Sequence, residues 1–78
     1  MDVKEIRALI LDALYKKRKW GESHTAYENL FRIFKNKPLG KHGFKIVKEI
    51  AEELCREGFI IKKPTSYGLQ VSLNPRMS

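Results

Sequence analysis

The sequence predicts a mainly α domain with a small β-hairpin near its C-terminal end. Three observations carry this. Apolar residues recur at helical spacing in three separate stretches. The last of these stretches runs out at Gly58, a natural helix stop. Beyond it, two β-rich runs, "FIIKK" and "LQVSL", flank "PTSYG". The order is therefore helix, helix, turn, helix, strand, strand, in one domain spanning residues 1–78.

The first helix is expected from Asp2 to about Lys19, with Val3, Ile6, Leu9, Ile10, Ala13 and Leu14 on one stripe. Asp2 and Glu5 near its start, and Lys16, Lys17, Arg18 and Lys19 near its end, complement the helix dipole. Gly21 is the expected stop. The second helix begins near "SHTAYE", where either Ser23 or Thr25 can cap it and Thr25 with Glu28 fits a capping box. Ala26, Tyr27, Leu30, Ile33 and Phe34 then share one face, and this short helix ends near Lys35. "KNKPLGKHG" is a turn or an irregular helix start, and Pro38 suits the first turn of the third helix. That helix is placed at about 38–57, burying Phe44, Val47, Ile50, Ala51 and Leu54, with Gly58 as C-cap and Phe59 supplying the accompanying apolar contact.

The hairpin is expected at about 59–73. Pro64 pre-sets the first turn residue, and Gly68 supplies the positive φ of a longer loop or bulge. Leu69, Val71 and Leu73 alternate with Gln70 and Ser72, so the first set should pack and the second face water. Residues 74–78 read as a frayed tail. A lone hairpin is marginal in water. Its apolar side is therefore expected to close over the three-helix core.

Composition narrows the function classes. The 78 residues are 42% hydrophobic and 32% charged, as in a globular protein. A net charge of +7 and a pI near 9.8 favour an anionic partner, nucleic acid first and an acidic membrane or protein second. The alternative is charge kept only for solubility. Cys55, the single cysteine, excludes an internal disulfide framework and a cysteine-based zinc cluster. It is expected to act as a small hydrophobe. No apolar run approaches the ~20 residues that span a membrane, and "MDVKEIRALI" is too mixed in charge for a signal peptide. A cytoplasmic location is the resulting expectation. One Gln and three Asn among many Lys, Glu and Ile lean toward a heat-adapted organism.

The stretch "EELCREGFIIKK", five loop residues and "LQVSLNP" resembles the winged helix-turn-helix family, in its small prokaryotic and archaeal regulator type. In that family the third helix ends in a Leu, followed by a Gly and by apolar residues opening the first wing strand. Leu54, Gly58, Phe59, Ile60 and Ile61 match, and Gly68 matches the glycine before the second wing strand. The resemblance covers roughly Val3 to Pro75. It implies a three-helix DNA-binding module whose third helix lies in the major groove and whose wing follows the adjacent backbone or minor groove. Many relatives carry Ser, Thr, Asn or Gln where this chain has "GKHGFKIVK", which favours phosphate contact over base reading.

The residues themselves point the same way. No acidic residue occurs between Asn29 and Lys48, a window holding Arg32, Lys35, Lys37, Lys41, His42, Lys45 and Lys48. On a helix, Lys41, Lys45 and Lys48 project opposite Phe44, Val47 and Ala51 and line an exposed face. Acids follow only in the second half, against the dipole preference. The candidate duplex-DNA contacts are thus Lys35, Lys37, Lys41, His42, Lys45 and Lys48, joined by Lys62, Lys63, Ser66 and Tyr67 near the hairpin tip. The alternative for each is an ordinary solvated residue. The run Lys16 to Lys19 is better explained by its helix end. Tyr15, Trp20 and Phe31 fall off the stripe centres and either form a homodimer contact or cover the ends of a small core.

His24 and His42 lack a ligand pattern, so no metal is expected. No cofactor motif, small-molecule effector signal or acid–base pair marks an enzyme. Two further readings stay open: a protein-interaction module of a larger complex, and RNA binding.

Overall fold

Residues 2–77 are described by a computed structural model. Helix α1 spans Val3–Lys16, strand β1 Thr25–Ala26, helix α2 Asn29–Arg32, helix α3 Gly43–Arg56, strand β2 Ile60–Thr65 and strand β3 Gly68–Leu73. A 3₁₀ turn, Pro75–Met77, follows. Three helices thus pack on a three-stranded antiparallel sheet of order β1-β3-β2.

The ends of α1 show how local chemistry sets boundaries. The Asp2 carboxylate accepts from the Glu5 N–H at 2.8 Å, and the Glu5 carboxylate reaches back to the Asp2 N–H, closing a capping box. The helix stops at Lys16, earlier than expected. The Lys19 N–H bonds the Leu14 carbonyl, and Arg18, not Gly21, takes the first positive φ, 55°. That early turn lays Trp20 along Leu73, with Leu73 N–H to Lys19 O and Gly21 N–H to Leu73 O.

The second helix departs most from expectation. Thr25 does not cap it. Thr25 and Ala26 instead form β1, paired with Val71 and Gln70 of β3. The Thr25 hydroxyl accepts from the Asn29 amide at 2.8 Å, so its oxygen is used across the turn and not in a capping box with Glu28. What remains of α2 is one turn, continued to Lys37 by three-residue hydrogen bonds such as Lys37 N–H to Phe34 O. Pro38 lies in the following loop. Helix α3 starts five residues later, at Gly43, because Leu39 packs against the glycine: a Cβ there would sit 2.1 Å from the Leu39 Cβ.

The core collects Ile6, Ile10 and Leu14 of α1, Leu30 and Phe34, Val47, Ile50, Ala51 and Leu54 of α3, and Ile60, Val71 and Leu73 of the sheet. Phe44 is not among them. It is 56% exposed, because Gly43 occupies the core-facing position beside it. The C-terminus of α3 closes as expected: Gly58 has φ 87°, and the Phe59 N–H reaches the Leu54 carbonyl.

The hairpin turns on two residues, Ser66 and Tyr67, between Thr65 and Gly68. Pro64 therefore sits inside β2, tolerated because β2 is an edge strand. The Thr65 hydroxyl bonds the Gly68 carbonyl and accepts the Tyr67 N–H, fixing the turn. Ser72 is buried, not wet, at 1% exposure. β3 is the central strand, and the Lys19–Gly21 segment closes over its end. The start of the expected frayed tail is anchored, since the Asn74 N–H bonds the Phe59 carbonyl and the Asn74 amide bonds Gly58 O, while Ser78 lies outside the described residues. Among the described residues, no helix is long and apolar enough to cross a membrane.

Candidate functional site

The short α2, the 37–42 loop and the first turn of α3 enclose a groove of about 430 Å³. Lys35, Lys37, Lys41, His42 and Lys45 line it, with Phe34, Leu39 and Phe44 supplying apolar wall. Five of the ten expected contact residues thus meet at one place. The loop makes this possible: α2 delivers Lys35 and Lys37, and the packing of Leu39 on Gly43 folds Lys41 and His42 back toward α3. Lys48 stands one turn further along α3, in a second groove of about 360 Å³ shared with Lys45, Glu49, Glu52 and Arg56.

The hairpin residues divide. Lys63, Ser66 and Tyr67 are exposed, Tyr67 at 94%. Lys62 points the other way. It lies opposite buried Val71, so its side chain emerges on the helix-facing side of the sheet and pairs with Glu52 at 2.5 Å. Glu52 also accepts a hydrogen bond from the Tyr27 hydroxyl at 2.9 Å. The Lys62 hydrogen bond, helped by Tyr27, holds the Glu52 carboxyl below its ordinary value. The same bond pushes Lys62 up, and burial together with Glu52 pushes the Tyr27 phenol up. Glu52 therefore interrupts the basic surface between α3 and the hairpin, and Lys62 reaches an anionic ligand only by leaving it.

The three expected dimer residues also separate. Tyr15 is 63% exposed and meets half-buried Trp20 edge-on, with ring centroids 6.3 Å apart. Together with Leu11, Phe59 and Leu73 they line a mainly apolar cleft of about 310 Å³. Phe31 belongs to a different row, between Tyr27 at 5.5 Å and Phe44 at 6.5 Å. Cys55 is half-buried, and burial pushes its thiol up, away from nucleophilic thiolate character. Among the described residues no group of three or more His, Cys, Asp or Glu could hold a metal.

Two participants escaped the sequence reading. Periodicity places Phe44 in the core with Lys41, Lys45 and Lys48 opposite it, but the structure sets it in the groove wall with Lys41 and Lys45, and Lys48 at i+4 lies on its own side of the helix. The Tyr27–Glu52–Lys62 clasp joins positions remote in sequence and leaves no local signal. No family model, curated protein or solved structure matches this chain, so the chemistry of the site rests on its own geometry.

Proposed function

We propose that this is a winged helix-turn-helix domain that binds duplex DNA, as a transcriptional regulator or a chromosome-associated factor. The observation that carries the reading is the groove itself: four lysines and a histidine converge on it, and the chain has no acid from Asn29 to Lys48. Uncompensated cations at one concave surface attract a polyanion and steer its approach. In this reading α3 meets the duplex through Lys41, Lys45 and Lys48, and Lys63, Ser66 and Tyr67 of the hairpin add backbone contacts.

Duplex binding across a salt series tests it. Each neutralised phosphate adds about −0.9 to the log–log slope, so the lysines of the groove and of α3 should give a slope of roughly −3 to −5. Reversing Lys41, Lys45 and Lys48 together to Glu should weaken binding on the order of 100-fold at low salt without unfolding, since all three are exposed. Binding that is absent at low salt, or unaffected by salt, overturns the reading.

A separate observation favours a second role. The Tyr15–Trp20 cleft is the apolar, aromatic surface expected of a protein contact. If it mediates self-association, sedimentation should show concentration-dependent dimers that Tyr15→Ser abolishes. A monomer at all concentrations removes that role.

A further inference from the structure

We infer that Phe44 is a stacking platform for an unpaired base of DNA, so that the groove prefers a bulged or single-stranded site over a continuous duplex. This rests on the nucleic-acid reading of the groove and adds the feature of the ligand that it selects.

Three features converge on it. Phe44 leaves more than half of its surface in water, although it is the second residue of a helix whose inner face is well buried. It does so at the wall of the basic groove, beside Lys41 and Lys45, and Lys48 follows one helical turn later. Its ring also has an aromatic neighbour: Phe31 meets it tilted at 52° with centroids 6.5 Å apart, and Tyr27 meets Phe31 at 5.5 Å. That contact restricts the ring's orientation while more than half of the side chain stays open to a ligand.

An aromatic face among phosphate-binding cations is the pairing that unpaired strands require. The cations track the backbone, and the ring takes a base face irrespective of sequence. A continuous duplex presents its phosphates but keeps its base faces stacked, so it would satisfy the lysines and leave Phe44 unused. An acidic protein surface would satisfy the lysines equally well but offers no matching flat ring for each charge.

The test compares three DNAs of equal length: a paired duplex, the same duplex with one unpaired adenine, and the single strand. In a parallel set, 2-aminopurine replaces the unpaired adenine to report stacking by fluorescence. The native protein should bind the bulged and single-stranded DNAs about tenfold or more tightly than the duplex, and change the 2-aminopurine emission. Phe44→Leu keeps apolar bulk without a ring face. It should abolish the preference and the emission change while leaving duplex affinity and salt slope as they were. Phe44→Trp should retain both. Duplex binding without preference, or a preference that survives in Phe44→Leu, overturns this inference and leaves the duplex reading standing. Absence of binding to all three DNAs overturns both. An RNA bulge is the fourth arm: preference for it over the DNA bulge overturns the assignment to DNA, whereas equal or weaker binding supports it.

Discussion

Ser72 is a polar side chain held where water does not reach. Its hydroxyl has no hydrogen-bond partner among the described residues. Burying an unpaired hydroxyl costs about 1–3 kcal/mol. Ser72→Ala should therefore stabilise the protein, by about 1 kcal/mol once the lost oxygen volume is counted, and raise the melting temperature by about 4–8 °C. A lower melting temperature would show that the hydroxyl is bonded to a trapped water. Alternation in "LQVSL" gave no warning of this burial, because period-two patterning assigns faces but not what covers them.

Glu52 carries the clearest pH dependence. Its carboxyl is held below the ordinary 4.5, so its contribution is complete above that value. As pH falls below 4.5 the unfolded chain takes up its proton first, and the contribution is lost as pH drops through the folded value. Lys62 and Tyr27 act at the other end: both are raised, so their contribution is present below about pH 10 and fades as pH rises through the folded values. The pair is partly solvated, which limits it to about 0.5–1 kcal/mol. Glu52→Gln should lose that amount at pH 7 and show a shallower decline as pH falls below 4.5. Urea denaturation at pH 3, 5 and 7 measures both, and parallel pH curves for the two proteins would refute the assignment.

Among the elements, α3 was the most legible. Its stripe of Val47, Ile50, Ala51 and Leu54 is buried as periodicity demands, and its end at Gly58 follows from the glycine's positive φ. Its start was not legible. "KNKPLGKHG" contains a proline suited to a first turn, but the helix waits until Leu39 has packed on Gly43, a tertiary contact that propensity cannot encode. β1 was missed for a related reason: two residues carry no period, and Thr25 is as good a cap as a strand residue. Gly43→Ala probes the first of these. Alanine should favour the helix by about 1 kcal/mol, but its Cβ would meet Leu39 at 2.1 Å. The loop must shift, so we expect a net loss of about 1–3 kcal/mol in chemical denaturation. Lys41 and His42 move with that loop, so under the proposed function DNA affinity should fall as well. A gain in stability would show that Leu39 rests only loosely on the helix.

At the scale of the whole molecule, charge is sorted as well as unequal. Among the described residues, three of the acids form ion pairs, Glu57 with Arg7, Asp12 with Lys16 and Glu52 with Lys62. None of these pairs includes a residue between Asn29 and Lys48. The groove side therefore holds cations with no acid interleaved in sequence, where few counter-charges compete with a ligand. The candidate lysines could be picked out from the sequence because charge runs are local. Their convergence came from the packing of Leu39 on Gly43, and the separation of Lys62 from them from its place opposite Val71 in the sheet. A radius of gyration of 11.9 Å, close to the ~11.5 Å expected for this length, leaves no detached arm to carry any of them elsewhere.

The sheet order β1-β3-β2 has a consequence for how the molecule is made. The central strand is the last of the three to be synthesised, and both of its neighbours must wait for it. Until residues 68–73 leave the ribosome, Thr25 and Ala26 have no ladder to join, and the helices lack Val71 and Leu73 as a floor. A nascent chain halted at the hairpin turn would display its lysine-rich segment without the scaffold that shapes it into a groove. The chain would then acquire this charge before it acquires the strand that gives the charge its form.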